Sequence, residues 1–253
     1  ETKRERFLTI LITPFMSCGA RLPVYLLLVG IFFAGWSQGF VMFSLYLLGI
    51  LVALITGLLL RKTLFKGESS AFVLEMPPYR LPTVKGVLIH AGERSWEFLR
   101  KAGVIIFPAV LMMWLLASLP FGVEYASSDS LIGIAGSTIA PIFAPLGFGF
   151  AEAAVAILMG LLAKEVVVGA FGTLYGVGEE GLADVLMNVF TPLSAYSFMV
   201  FILLYMPCLA AMFTIRQETR SWKMTGLAAV GMCAIAWVVS FIIYQGGKLL
   251  GLG

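Results

Sequence analysis

PFMSCGARLP, residues 14–23, places two prolines, a glycine, a thiol, a thioether and a positive charge inside an apolar segment. A helix in lipid must satisfy every backbone group within itself. Helix breakers are therefore tolerated there only where the freed backbone is buried in protein or lines a cavity. The stretch predicts a discontinuous helix, with one half ending near Pro14, an unwound motif, and a second half from Pro23 to Trp36. Breaks of this kind are typical of functional sites.

A second stretch, LYMPCLA at residues 204–210, repeats the Met-x-Cys pair beside a proline, and its cysteine follows Cys18 by 190 positions (208 minus 18). Thiolate and thioether donors suit soft or borderline metals such as Fe(II), Cu(I) and Zn(II), whereas Mg and Ca prefer oxygen ligands. The recurrence predicts four metal ligands along one pathway, namely Cys18, Cys208, Met16 and Met206. The alternative is that these side chains only fill space beside kinked helices, a role that suits both Cys and Met.

The composition is that of an integral membrane protein. Of its 253 residues, 60% are hydrophobic and 12% are charged, and the mean hydropathy is +0.98. In soluble domains about 45–50% of the residues are apolar and about 25% are charged. The apolar runs are continuous and not alternating, which favours helices. The predicted fold is all-α, a polytopic helical bundle that forms a single transmembrane domain over residues 1–253. Nothing indicates nucleic-acid binding.

Lys and Arg are distributed unevenly along the chain. Residues 61–101 carry eight of them, whereas 119–130 and 178–195 carry only acids. By the positive-inside rule the first connection is cytoplasmic and the other two lie outside. This predicts about seven crossings, with the N-terminus inside and the C-terminus outside. The two broken segments then run in opposite directions, which predicts an inverted repeat whose discontinuous helices meet near the midplane.

The repeat divides the chain into a first region at about 7–118 and a second at about 131–244. Within the cytoplasmic connection, apolar residues recur at helical spacing over 84–101, which predicts an amphipathic helix in the membrane interface with Thr83 as its N-cap. Residues 131–150 contain two prolines and several glycines. They predict either one kinked span or a re-entrant pair of half-helices.

Three charged residues lie within apolar segments. Residues 151–175 predict one helix with Lys164 and Glu165 in its middle, where each charge costs about 2.5–3.5 kcal/mol on insertion scales. These charges must face protein or water, so both are candidates for the pathway or its gate. Arg21 has two interpretations. It either snorkels or caps the unwound carbonyls, or it forms a gating ion pair with Glu165.

Residues 14–25 resemble the first Gate motif of the FeoB family of bacterial ferrous iron transporters. Three further stretches are similar to that family: PPYRLP at 77–82, AKEVV at 163–167, and YMPC at 205–208, which looks like the second Gate. The resemblance covers essentially the whole chain. It implies Fe(II) as the transported ion, no permanently bound cofactor, and uptake across the bacterial plasma (inner) membrane. It also implies that Cys18 and Cys208 lie on the metal path.

Full-length members of that family carry an N-terminal GTP-binding domain. This chain contains no G-x-x-x-x-G-K-[ST] loop, so it is not expected to bind GTP by that means. It begins with a polar run and not with Met, so we expect the non-enzymatic membrane portion of a longer protein. The resemblance further implies small cytosolic partner proteins and self-association within the lipid bilayer.

Two other functions remain open. Gate-type segments also occur in nucleoside transporters and in sporulation membrane proteins, so a nucleoside or similar solute is an alternative cargo. Such a site needs several hydrogen-bonding side chains at the midplane, and the broken spans offer little beyond Ser17, Thr13 and Thr173, which favours a metal. The third hypothesis is a non-transporting scaffold whose 84–101 helix docks a cytosolic partner.

Overall fold

The computed structural model describes residues 3–63, 82–101, 103–104, 107–120 and 130–251. Residues 77–81 of the PPYRLP stretch lie outside these ranges, and the span predicted at 103–119 is described only in part. Within the described ranges the α-helices are α1 (Lys3–Ile12), α2 (Leu22–Phe32), α3 (Trp36–Thr63), α4 (Val84–Lys101), α5 (Phe107–Ser118), α6 (Leu131–Phe143), α7 (Ala151–Gly160), α8 (Val166–Tyr175), α9 (Glu179–Val189), α10 (Pro192–Leu204), α11 (Leu209–Thr219) and α12 (Trp222–Leu249).

Four described stretches are long and apolar enough to cross a membrane, each 28 residues long: Glu5–Phe32, Trp36–Thr63, Pro192–Thr219 and Trp222–Leu249. A fifth span results if α6 and α7 count as one. At 1.5 Å per residue each stretch exceeds the hydrocarbon thickness of about 30 Å. The prediction of a polytopic helical membrane protein is confirmed, while the predicted count of about seven crossings is not confirmed by the described residues.

The two broken spans lie side by side in opposite directions. The helix α1 packs against α11, and α2 packs against α10. At one end of the pair Arg6 forms an ion pair with Glu218. At the other end the rings of Phe32 and Phe190 meet edge to face, with centroids 6.5 Å apart. Each broken span is followed by an unbroken helix, α3 in the first half and α12 in the second, which is the order that an inverted repeat requires.

The centre of the bundle is α10, because eleven of its thirteen residues are buried. A helix that is apolar on all sides is stable only when it is surrounded by other helices. Rings from several neighbours close around Phe198, whose centroid lies 5.2 Å from that of Phe148, 5.4 Å from that of Phe190 and 5.8 Å from that of Phe171. The second broken span is therefore held at its first half by dense aromatic packing.

The helices α6 and α7 meet at 102° and pack against each other. A methyl group at Gly136 would overlap Val155, so glycine permits the close approach of the two helices. Two side chains of α12 hold the turn between them. Gln245 Nε2 donates to the Pro145 carbonyl at 2.7 Å, and Trp237 Nε1 donates to the Ile142 carbonyl at 3.0 Å. A pair bent in this way is either one broken span or a re-entrant loop, so both predictions for residues 131–150 stay open.

The prediction of one helix over 151–175 is wrong. The helix α7 ends at Gly160, α8 begins at Val166, and Leu161–Glu165 between them form turns. Tertiary contacts explain the break. The Leu161 carbonyl accepts a hydrogen bond from the Leu209 N–H at 3.0 Å, and Lys164 reaches into α10. Neither contact corresponds to a helix-breaking residue that the sequence would reveal.

The amphipathic helix predicted at 84–101 is confirmed as α4. The Thr83 Oγ1 accepts the Gly86 N–H at 3.3 Å, as an N-cap does. Large apolar side chains on this helix are exposed, among them Val84, Leu88 and Trp96. Its position in the membrane interface stays a prediction, as does the division of the chain into regions 7–118 and 131–244.

Candidate functional site

The first break lies where the sequence predicts it. After α1, Thr13–Phe15 form a 3-10 turn, Met16 and Cys18 are extended (φ −69°, ψ 139° and φ −114°, ψ 158°), and Gly19–Arg21 form a second 3-10 turn. Proline has no N–H to donate to the preceding turn, so it ends or bends a helix. The backbone between the two turns is thereby left with carbonyls that no helical N–H reaches.

Arg21 satisfies these carbonyls. Its side chain is 2% exposed, and its guanidinium fork donates from Nη1 to the Met16 carbonyl at 2.7 Å and from Nη2 to the Pro14 carbonyl at 2.9 Å. Of the two predicted roles, the structure therefore gives Arg21 that of a cap. No ion pair joins it to Glu165, both residues being described, and Glu165 is exposed.

The first break packs directly against α3 at Gly49. A Cβ atom added at Gly49 would lie 2.9 Å from the Phe15 carbonyl oxygen and 3.5 Å from Cδ1 of Leu203. Leu203 belongs to the end of α10, next to the second break. A single glycine therefore lies against the first broken segment and the end of the helix that leads into the second.

The second break follows α10. Tyr205 and Cys208 are extended (ψ 170° and 159°), and α11 begins at Leu209. Pro207 lies between them and cannot donate a backbone hydrogen bond. The first N–H group of α11, on Leu209, bonds the Leu161 carbonyl instead. The second break is thus tied to the turn segment between α7 and α8.

Lys164 plays at the second break the part that Arg21 plays at the first. Its ammonium donates to the Ile202 carbonyl at 3.0 Å and lies 4.1 Å from the centroid of the Tyr205 ring, and the residue is 2% exposed. In a continuous helix the Ile202 carbonyl would accept the N–H of Met206, four residues on. The break removes that donor, and the buried amino group of Lys164 replaces it. The sequence identified Lys164 as a pathway candidate but gave no indication of this partner.

The two breaks meet. Lys164 lies within electrostatic range of Arg21, Cys18, Cys208 and Cys233. The sequence predicted the first three of these neighbours as site residues, whereas it assigned Cys233 of α12 to packing alone. Among the other predicted site residues, Met206 is half-buried and Glu165 is exposed.

Met16, the remaining predicted ligand, is 50% exposed. Among the described residues no group of three or more His, Cys, Asp or Glu side chains is placed to hold a metal ion. The ligand roles of the two cysteines and two methionines stay predictions.

Polar atoms without partners cluster at this meeting point. Arg21 Nε and Tyr205 OH are buried and have no hydrogen-bond partner in the described chain, and the buried hydroxyls of Ser17 and Tyr25 lie within reach of each other. Tyr205 lies within electrostatic range of Arg21 and Tyr25. A buried polar group without a partner costs about 1–3 kcal/mol and is rare in folded proteins. The region where the two breaks lie close together is therefore polar as well as buried.

These features define a class of protein: multi-pass helical membrane proteins in which two antiparallel broken helices meet around buried polar groups, as in many secondary transporters. Comparison with known proteins gives the family. Residues 42–94 match the family model described as "Ferrous iron transport protein B C terminus", and residues 99–222 match the model described as "Nucleoside recognition". The chain belongs to the FeoB family, which confirms the resemblance carried by the Gate motifs.

Relatives extend the match over almost the whole chain. The protein named Fe(2+) transporter FeoB from Staphylococcus aureus (strain MSSA476) is 46% identical over 250 residues, which are 98% of this chain and 38% of that protein. The one from Methanocaldococcus jannaschii is 43% identical over 259 residues, covering 99% of this chain and 38% of that protein.

A third relative, from Porphyromonas gingivalis, is named as a fusion of Fe(2+) transport protein A with Fe(2+) transporter FeoB. It is 36% identical over 300 residues, covering 98% of this chain and 35% of that protein. The chain thus spans well under half the length of each of these relatives. No solved structure matches the chain.

Proposed function

We propose that this chain is the membrane permease portion of a ferrous iron transporter and that it carries Fe(II) across the bacterial plasma membrane. The observation that carries the proposal is the 46% identity, over 98% of the chain, to a protein named Fe(2+) transporter FeoB. The position of Cys18 and Cys208 at the two helix breaks supports it, because thiolate sulfur suits a borderline ion such as Fe(II).

The hydrogen bonds that Arg21 and Lys164 form favour sulfur as the donor to the ion. Arg21 occupies the Pro14 and Met16 carbonyls, and Lys164 occupies the Ile202 carbonyl. Hard cations such as Ca²⁺ need many oxygen ligands, and these backbone oxygens are already taken. In this proposal Cys18 and Cys208 relay the ion between them, with Met16 and Met206 as weaker donors.

Charge balance imposes a further requirement on the transfer of Fe(II) between Cys18 and Cys208. The permanently charged guanidinium of Arg21 lies close to the proposed path, and like charges repel strongly where water is scarce. One Fe(II) held by two thiolates is a neutral unit, since the metal-binding form of cysteine is the thiolate. While both thiolates hold it, the ion therefore forms a neutral unit beside Arg21 and Lys164, and the two protons that the thiols give up pass to solvent, to which Cys18 is exposed. An opening step must also break the hydrogen bonds of these two residues, which is the gating role proposed for them; Glu165 is exposed and is the weakest of the gating candidates.

The rest of the transport system lies in other parts of the protein or in partners. We assign no catalytic chemistry and no permanently bound cofactor to this chain, and GTP binding to a separate domain of the longer protein. The fusion found in the Porphyromonas relative supports a small protein of the transport protein A type as a cytosolic partner. Self-association in the bilayer is a further expectation.

The test is uptake into proteoliposomes that contain this chain, alone and within its longer protein, with Fe(II) kept reduced and an iron-sensitive fluorophore inside. Fe(II) is expected to enter, and the double variant Cys18→Ser with Cys208→Ser is expected to reduce the initial rate at least tenfold. Cys233→Ser is the matched control, because it removes a nearby thiol from an unbroken helix. Wild-type uptake in the double variant would disprove the ligand assignment, and absence of Fe(II) uptake by the longer protein would disprove the function.

A nucleoside is the second candidate cargo, favoured by the match of residues 99–222 to the model described as "Nucleoside recognition". The hydroxyls of the broken spans argue against it. The Thr13 hydroxyl donates to the Thr9 carbonyl, and that of Thr173 donates to the Gly169 carbonyl, which leaves Ser17. Uridine uptake in the same proteoliposomes that exceeds Fe(II) uptake would establish this alternative.

A further inference from the structure

An apolar cleft opens between α3 and α12. Its cavity of about 230 Å³ is bounded by Thr56 and Leu60 of α3 and by Gly231 of α12, and Leu11 and Phe15 also line it. The helix α1 packs on both α3 and α11, and α11 packs on α12. The cleft is thus a space between the two long helices, beside the first broken span.

Three basic residues are adjacent in sequence to residues that line this cleft. Leu60 is followed by Arg61 and Lys62, and Met224, which also lines the cavity, is preceded by Lys223. All three basic residues are exposed, and none forms an ion pair within the described chain. By the positive-inside rule these residues face the cytoplasmic leaflet, where anionic lipids attract Lys and Arg.

We propose that this cleft binds an anionic phospholipid from the cytoplasmic leaflet, with a segment of one acyl chain between α3 and α12 and the headgroup phosphate at Arg61, Lys62 and Lys223. The dimensions agree with a chain segment, because a dry cavity of about 150 Å³ already holds benzene. The lining offers one hydroxyl, on Thr56, so it cannot recognise a polar solute. The combination of an apolar slot with a basic rim is complementary to an amphiphile of negative charge.

Binding here would reach the first break. Phe15 lines the cleft, and its carbonyl lies against Gly49 of α3. An acyl chain between α3 and α12 therefore contacts the first broken segment at Phe15. The proposal concerns lipid binding, so it can be tested without iron and does not depend on the proposed transport function.

The test uses the purified chain in neutral detergent with added dioleoylphosphatidylglycerol or dioleoylphosphatidylcholine. Native mass spectrometry counts the lipids retained by the chain, and thermal unfolding measures their effect. One retained phosphatidylglycerol and an upward shift of the unfolding midpoint are expected, with little retention of phosphatidylcholine. Equal retention of the two lipids would overturn the proposal, because the basic rim would then have no role.

Two pairs of variants on α12 locate the site. Lys223→Gln removes a rim charge and is expected to weaken phosphatidylglycerol binding about fivefold, since one basic residue near an anionic surface contributes about 1 kcal/mol. Lys248→Gln, at the other end of α12, is the matched control. Gly231→Leu fills the cleft, whereas Gly226→Leu does not, and a Cβ at either glycine meets no atom within 4 Å.

The expected result is loss of phosphatidylglycerol retention in Gly231→Leu and its survival in Gly226→Leu. Retention that is unchanged in Gly231→Leu would exclude the cleft as the binding site. An equal effect of the two lysine variants would show that the basic rim attracts the lipid only as non-specific surface charge. Either outcome would refute the proposed site.

Discussion

Replacing Gly49 by alanine tests the packing that joins the two breaks, and Gly57 of the same helix provides a matched control. Both glycines are buried in the interior of α3. A Cβ at Gly57 would meet only the Ile12 side chain, at 3.5 Å, which is ordinary contact. A Cβ at Gly49 would lie 2.9 Å from the Phe15 carbonyl oxygen, a backbone atom that cannot rotate away.

The expected change in stability of each variant follows from two opposing effects. Alanine is favoured over glycine in a helix interior by about 0.8–1 kcal/mol, and both variants gain this. Overpacking of a well-packed site costs about 1–3 kcal/mol, and only Gly49→Ala incurs it. We therefore expect Gly57→Ala to be as stable as the parent or up to about 1 kcal/mol more stable, and Gly49→Ala to be about 1–3 kcal/mol less stable than Gly57→Ala.

Thermal unfolding in one detergent measures the difference in stability, and Fe(II) uptake into proteoliposomes measures its consequence. The Gly49→Ala variant must displace Phe15 by a few tenths of an ångström, which moves the start of the first break, so its uptake should fall while that of Gly57→Ala is preserved. If Gly49→Ala unfolds at the same temperature as Gly57→Ala and transports as well, the first break does not depend on this contact.

Three further perturbations test the caps and the topology. The Arg21→Lys variant keeps the charge but cannot bond two carbonyls in a fixed fork, so it should lose about 1–3 kcal/mol in thermal unfolding; parental stability would argue against the cap. Lys164→Met leaves the Ile202 carbonyl without its donor but replaces a buried polar group by an apolar side chain, so Fe(II) uptake should fall much more than stability; unchanged uptake would exclude a role in the proposed pathway. A cysteine introduced at Asn188 should react with an impermeant thiol reagent in intact cells, and one at Gln217 should not; the reverse pattern would invert the topology.

The two breaks at Pro14 and Pro207 were predictable from the sequence because they follow from covalent structure. Pro14 and Pro207 lack a backbone N–H, and this is a property of the residue that no tertiary context restores. The antiparallel arrangement was predictable from charge, because the Lys- and Arg-free connections fix the direction of each span. One of the two interpretations of Arg21 was also correct, since the carbonyls it caps lie in its own motif, five and seven residues away.

What the sequence did not reveal depends on contacts between distant segments. The break at Leu161–Glu165 contains no proline, and its cause is a hydrogen bond to Leu209 together with the reach of Lys164 into α10. The role of Gly49 was equally hidden, because a glycine within a continuous apolar helix does not indicate which atom it lies against. In both cases the local sequence is compatible with an ordinary helix, and only packing decides otherwise.

The two breaks differ in how they are held, and this difference indicates where motion can enter the site. The first break is capped from within its own motif by Arg21. The second is capped by Lys164, 38 residues earlier in the chain, and the start of α11 is bonded to the Leu161 carbonyl in the same turn segment. A displacement of Leu161–Glu165 would therefore withdraw both supports of the second break at once while leaving the Arg21 hydrogen bonds of the first intact. Rearrangement of the segment between α7 and α8 is thus a direct structural route by which another part of the protein could carry out the Lys164 half of the proposed opening step before the Arg21 hydrogen bonds break.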